Sequence, residues 1–234
     1  MREARKKNVK VYITLNTVVK NTELAKLIDV LAFLNEARPD AVIVQDWGVF
    51  YLARTFFPRL VVHASTQMGI HNSQGTQYLA ALGFARTVLA RELTLKELEM
   101  VVKNSPSETE VFVHGALCYS FSGMCLFSSY TGGRGANRGI CSQSCRRTYD
   151  DKGKQKFLFN MKDNQLLDLI PQLAAMGVAS LKVEGRMKPA EYVFRVGSAY
   201  KMVLADSRRI NEAQQLLALD FGRQKTRWFA GGDV

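Results

Sequence analysis

DAVIVQDWGVFYLARTFFPRLVVHASTQ, residues 40–67, decides the fold. A short β-branched run ends in polar residues at Asp46, a helical stretch follows, and a second β-branched run ends at Ser65 and Gln67. Strands that are apolar almost throughout are buried on both faces. A helix between two of them brings the chain back to start the second strand parallel to the first.

The same unit recurs on either side. VKVYITLNT ends at Asn16, RTVLARELT at Arg91 and Glu92, TEVFVHGAL at His114, and ASLKVEGRM at Glu184 and Arg186. The first five runs follow one another at roughly 20–30 residues, one βα unit apiece. Amphipathic helices fill the gaps. NTELAKLIDVLAFLNEARP has apolar residues three and four apart, TLKELEMVVKNSP opens with Thr94 at an N-cap and Glu97 at the capping-box position, and KDNQLLDLIPQLAAMGV leads into the sixth strand. Polar residues collect at the strands' C-terminal ends, where barrels and doubly wound sheets carry their working rim. No strand is followed by a Gly-rich dinucleotide fingerprint, which favours the barrel. Six units fall short of eight, and the chain opens on what reads as the tail of a helix. The expected fold is α/β: an incomplete TIM-type (β/α) barrel over residues 1–205, with a gap between the first and sixth strands. Residues 206–234 read as a C-terminal helix and tail, the start of a shortened extension.

One segment, residues 115–157, breaks the rhythm between the fifth and sixth strands. It contains every cysteine of the 234-residue chain: Cys118, Cys125, Cys141 and Cys145, spaced C-x6-C-x15-C-x3-C. An insertion of this length at the rim end is more often functional than not. Disulfides do not suit a reducing cytosol. Structural zinc suits the second pair better than the first. A 4Fe–4S cluster tolerates varied spacing, and here it would have glycines that let amides turn toward sulfur and four arginines (Arg134, Arg138, Arg146, Arg147) to offset its charge. On the residues alone, zinc and iron–sulfur both stand.

Lys and Arg number 32 against 21 Asp and Glu, a net charge of +11. A surplus of that size attracts polyanions, nucleic acid first; the alternative is a generally basic protein without such a partner. Arg146, Arg147, Lys152, Lys154 and Lys156 follow the cysteines, with Asp150 and Asp151 among them, and suit contact with RNA phosphates. No RRM or KH signature is visible. No apolar run is long enough to span a membrane. The basic-then-apolar N-terminus mimics a secretory signal, but its apolar part is short, carries Thr14, Asn16 and Thr17, and lacks a small-residue cleavage site. The expected location is therefore cytoplasmic.

On the expected rim, His114 is a candidate acid or base. His63 lies within its strand, and Gln67 and Asn72 offer amides to a base edge or a carboxylate. Glu184 and Arg186 flank Gly185 and, with Lys182 and Lys188, suit an anionic cosubstrate; Arg91 and Glu92 form a similar pair.

Taken together, ETEVFVHGALCYSFSGMCLFSS, NRGICSQSCRRTY, HASTQMGIHN, ARELTLKEL and SLKVEGRMKPAEYV resemble the signature segments of peptidase family U-32, the collagenase-like family, in the family's order. The resemblance runs from about residue 9 to about residue 205. It implies a TIM-like barrel, a 4Fe–4S cluster on the four cysteines, and kinship with bacterial proteins of oxygen-independent or prephenate-dependent hydroxylation. Their substrates include a tRNA wobble uridine, a 23S rRNA cytidine and a ubiquinone precursor. The family's opening strands and much of its C-terminal extension have no counterpart here, so a partner chain completing the barrel is a further expectation. The cysteine segment looks most like that of the RNA-modifying branch, and the basic charge agrees. The expected function is hydroxylation of a pyrimidine in tRNA or rRNA, with prephenate as a possible small anionic cosubstrate. Two rivals remain: peptidase activity, for which no Gly-x-Ser-x-Gly or His-Glu-x-x-His motif is present, and a non-catalytic fragment needing a partner.

Overall fold

The computed structural model describes residues 1–185, 188–219 and 222–232. After a short helix α1 (Arg2–Lys6) come β1 (Tyr12–Leu15), α2 (Leu24–Ala37), β2 (Ala41–Val44), α3 (Trp47–Phe56), β3 (Val62–Ala64), α4 (Ser73–Leu82), β4 (Arg86–Val88), α5 (Leu95–Lys103) and β5 (Glu108–Ala116). The cysteine segment holds α6 (Phe127–Gly132) and a small antiparallel hairpin, β6 (Tyr149–Asp151) and β7 (Lys154–Lys156). The chain continues through β8 (Asp163–Gln165), α7 (Ile170–Ala175), β9 (Ser180–Val183), α8 (Ala190–Ala205), α9 (Ile210–Ala218) and β10 (Lys225–Thr226).

The six strands expected from the sequence are present and parallel, in the order β1-β2-β3-β4-β5-β9. Among the described residues β1 and β9 each pair on one side only, so they are the edges of this parallel set. Two further strands join this sheet that were not foreseen. KDNQLLDLIPQLAAMGV does not begin as a helix: Asp163–Gln165 runs antiparallel to the end of β5, and α7 starts only at Ile170, with Pro171 in its first turn where a missing N–H costs nothing. β10 then adds to β8, fastened by Arg223, whose Nε and backbone N–H both donate to the Asp163 carboxylate. The expected C-terminal helix is α9, whose Ala213 and Leu217 lie in the same apolar core as α8.

Side-chain alternation explains the layers. Val42, Val44, Val62 and Ala64 pack against Leu31 of α2, Val49 and Ala53 of α3 and Leu79 of α4. Val111 and Val113 pack against Leu98 of α5, Leu173 of α7 and Val196 of α8. The helices thus cover one face. The opposite alternation carries charge. Arg86 bonds Glu108 (2.6 Å) and Glu110 (3.1 Å), Lys182 bonds Glu110 (2.6 Å), and the Arg86 guanidinium lies 5.1 Å from the Tyr12 ring, which packs on His63. This chain of contacts links β1, β3, β4, β5 and β9 through one ionic layer. Among the described residues no helix is long and apolar enough to cross a membrane.

Candidate functional site

The cysteine segment leaves the end of β5 and folds back across the C-terminal ends of the other strands, held at each by a named contact. After β1, Val18 N–H donates to the Asn137 carbonyl, and Arg138 makes a two-pronged pair with Glu23 while also donating to the Val18 carbonyl. The guanidinium and the Lys20 amide hold the Glu23 carboxyl down to about 2. After β2, Gln45 donates to the same Asn137 carbonyl at 3.2 Å. The Asn137 side chain accepts from the Cys125 N–H, so one residue ties a cysteine to two strand ends. After β3, Gln67 is bonded to Asn16 at 3.2 Å and lies against Gly123.

After β4, Glu92 makes the tightest contact. One carboxylate oxygen accepts from the Ser122 N–H and the other from its hydroxyl, at 2.5 and 2.6 Å. Ser122 is 2% exposed and sits in the left-handed region (φ 46), a conformation that costs energy for a side chain with a Cβ and that these two bonds offset. His71 Nε2 stands 3.4 Å from the same carboxylate, its Nδ1 bonds the Gly69 carbonyl, and its ring stacks on Phe121 at 4.5 Å. Serine, histidine and glutamate therefore meet, but not as a hydrolase triad. The buried Ser122 hydroxyl is spent on Glu92, and no serine–histidine hydrogen bond exists among the described residues to activate it.

Beside this latch, Arg91 reaches the Ala116 carbonyl (2.8 Å) and Glu184 (3.2 Å), with its guanidinium 3.8 Å from the Phe112 ring. Gly115 permits the approach. Its φ is +121, and a Cβ there would lie 2.6 Å from the Glu184 Cβ.

Gln67, Arg91, Glu92 and Glu184 thus gather at the strand ends, with Arg146 and Arg147 on the segment above. Other candidates are placed elsewhere. His114 is corrected by a bulge: the register with β9 slips between Phe112 and His114, which turns the imidazole to the helix side. There it is 1% exposed, 3.2 Å from the Tyr200 hydroxyl and packed on Tyr192 and Tyr200. The Tyr200 proton goes to the Val113 carbonyl, so His114 Nδ1 is the donor of that pair. Lys182 is corrected too, since alternation points it into the ionic layer, onto Glu110. His63 is buried in that layer, its pKa lowered to about 4 by burial and then by Arg86. Asn72 caps α4 by accepting from Gly75 N–H at 2.8 Å. Lys188 lies over the Tyr192 ring at 4.7 Å. Arg186 lies outside the described residues. His71, Ser122 and Asn137 were not singled out by sequence. His71 carried a faint signal, a polar residue just past a strand. Asn137 carried none, because its partners lie far away in the chain.

The four thiols are free. Burial raises the pKa of Cys145, and the nearby Cys118 and Cys141 add to it, while Arg146 opposes. The Cys118 thiol is 2.9 Å from the Ser120 hydroxyl, and the Gln143 N–H points at Cys141 Sγ at 3.3 Å. Among the described residues no three Cys, His, Asp or Glu side chains stand close enough to hold a metal ion. In donor chemistry the set fits: four thiols from one segment, three of them within electrostatic reach, suit a soft metal or an iron–sulfur cluster. The segment would have to draw together to hold either.

The profile of peptidase family U32 matches residues 1–232. The chain is 38% identical to the 23S rRNA 5-hydroxycytidine C2501 synthase of Escherichia coli (strain K12), over 86% of this chain and 31% of that protein. It is 36% identical to the tRNA hydroxylation protein P1 of Bacillus subtilis (strain 168), over 86% of this chain and 51% of that one. A protein of Porphyromonas gingivalis (strain ATCC BAA-308 / W83) named collagenase is 31% identical, over 94% of this chain and 59% of that one. The chain thus spans about a third to about half of the length of the first two relatives. Its fold is similar to that of the U32 peptidase Mk0906, with a TM-score of 0.52, 12% identity, and coverage of 80% and 74% of the two chains.

Proposed function

The chain belongs to peptidase family U32, and on that premise we propose that it takes part in hydroxylating a pyrimidine of tRNA or rRNA, with a 4Fe–4S cluster on Cys118, Cys125, Cys141 and Cys145. The observation that carries this reading is the position of the cysteine segment. It is fastened over the ends of four strands, beside Arg91, Glu92 and Glu184, in a chain whose relatives include proteins named for rRNA and tRNA hydroxylation. A cluster there would supply electrons or bind a cosubstrate. The chain's own residues do the positioning. Glu92 and Asn137 fix the segment, and Arg91 holds Glu184 at the edge where a base or a small anion such as prephenate would enter. A target base must leave its stack to reach such a site.

The finer architecture we propose is an incomplete TIM-type barrel with its rim under the segment. It is supported by the one-sided helix cover and by the ionic layer running from β1 to β9. Among the described residues no serine is hydrogen-bonded to a histidine that could activate it, which lends the peptidase reading no support. The test is nucleoside mass spectrometry of tRNA and rRNA from cells with and without the gene. Loss of a hydroxylated pyrimidine, restored by the wild-type gene but not by Cys141→Ser, is the expected result. Unchanged nucleosides would contradict it.

A further inference from the structure

Among the described residues, the side-chain contacts of helix α6 gather on one side. Phe127 packs with Tyr149 and Phe159, the Ser128 hydroxyl bonds Ser142, and the Thr131 hydroxyl bonds Ser144. The other side carries Leu126 and Tyr130, four apart and therefore stacked one above the other; the Tyr130 N–H donates to the Leu126 carbonyl. They are 79% and 89% exposed, the highest values among the large apolar side chains of the described residues. Around them the segment is basic. Residues 115–157 hold seven Lys or Arg and two Asp, a net +5.

The arginines divide in two groups. Arg138 is spent on Glu23, whereas Arg134, at the end of α6, and Arg146 and Arg147, on the turn that α6 packs against, have no carboxylate partner among the described residues. An exposed tyrosine beside an exposed leucine, in a segment that also carries guanidinium groups without a carboxylate partner, suits one ligand chemistry: base faces on the apolar surface and phosphates on the cations. A duplex hides its base faces, and an apolar protein surface would leave the arginines uncompensated.

We propose that this face is a stacking platform for an unpaired RNA segment flanking the modified nucleotide. Tyr130 and Leu126 take the bases, and Arg134, Arg146 and Arg147 take the phosphates. The inference rests on the RNA reading above and adds where, and in what form, the RNA is held.

The test uses the full chain, purified anaerobically, and fluorescence anisotropy with an unstructured pyrimidine-rich 12-mer RNA and a duplex of equal length. Tyr130→Ala combined with Leu126→Ala should weaken single-strand binding about five-fold or more, while Tyr130→Phe, which keeps the ring, stays within about two-fold of wild type. Arg134→Glu with Arg147→Glu should flatten the dependence on salt. Sedimentation and circular dichroism confirm that each variant keeps its fold and oligomeric state. If wild type binds the single strand in a salt-dependent way and the Tyr130 and Leu126 variant binds equally well, the platform is overturned and the RNA reading stands. Equal affinity for the duplex, or a loss of binding that tracks a change in self-association, also overturns the platform; the latter assigns the face to a second copy. If wild type binds neither RNA at low salt, the RNA reading falls and takes the platform with it.

Discussion

The ionic layer within the sheet and the cysteine segment above it are both rich in charge and use it in opposite ways. In the layer every cation has an anion: Arg86 on Glu108 and Glu110, Lys182 on Glu110. Burial alone would raise the Glu110 pKa, yet the Lys182 ammonium and the Arg86 guanidinium hold it below the usual carboxylate range. Of the segment's four arginines only Arg138 has a carboxylate partner among the described residues, while Arg134, Arg146 and Arg147 have none. A dehydrated cation must be neutralised within the fold, so its position is fixed and it is closed to a ligand. An exposed, unpaired cation adds little to stability and remains available.

The sharpest break of that contrast is Glu110→Ala. It leaves Lys182 and part of Arg86 without their anion inside the sheet and should cost about 3–5 kcal/mol in chemical denaturation. Charge removal at Arg147 should stay within about 0.5 kcal/mol. A cost under about 1 kcal/mol at Glu110 would mean that the layer does not organise the sheet.

His63 sharpens the same contrast through pH. Its folded pKa is lowered to about 4 from the ordinary 6.5, so between those values the unfolded chain binds more protons. Stability therefore falls as pH drops from about 6.5 toward 4, by up to about 3 kcal/mol. Glu110 and Asp163, both held low, add their loss only below their ordinary carboxylate range, so the histidine is read between pH 6.5 and 4.5. His63→Gln should flatten stability across that interval, and an unchanged slope would rule out His63 as its source.

Glu92 tests the segment's hold. Glu92→Gln keeps the size but removes one of the two acceptors on Ser122. The expected loss is about 1–2 kcal/mol, felt locally. Hydrogen exchange at residues 118–125 should quicken while the core strands keep their protection. Uniform acceleration throughout would instead make Glu92 part of the global fold.

The parallel strands were legible because each is a short β-branched run that ends in polar residues, and α5 because Thr94 and Glu97 form the capping box that their spacing predicts. What stayed hidden depended on backbone irregularity or on distance. His114 sits at the end of a strand in the sequence, yet one slipped residue in β5 turns it away from the strand ends. Lys182 lies two residues before Glu184, and period-two alternation should have placed it on the inner face beside Glu110. β8 was missed because DNQ has no strand propensity of its own; its bonds to β5, with Asn164 donating to the Phe112 carbonyl, hold it in place. Asn137 bonds Val18, Gln45 and Cys125, contacts that no local pattern in the segment encodes.

The proposed iron–sulfur cluster would sit on four cysteines of the segment fastened over the strand ends. Iron, acid-labile sulfide and zinc determined together on anaerobically purified protein test it most directly. About four irons and four sulfides per chain are expected, with both lost from Cys118→Ser and Cys145→Ser proteins that remain folded. Stoichiometric zinc without sulfide, or folded wild-type protein that takes up no iron on anaerobic reconstitution, would contradict it.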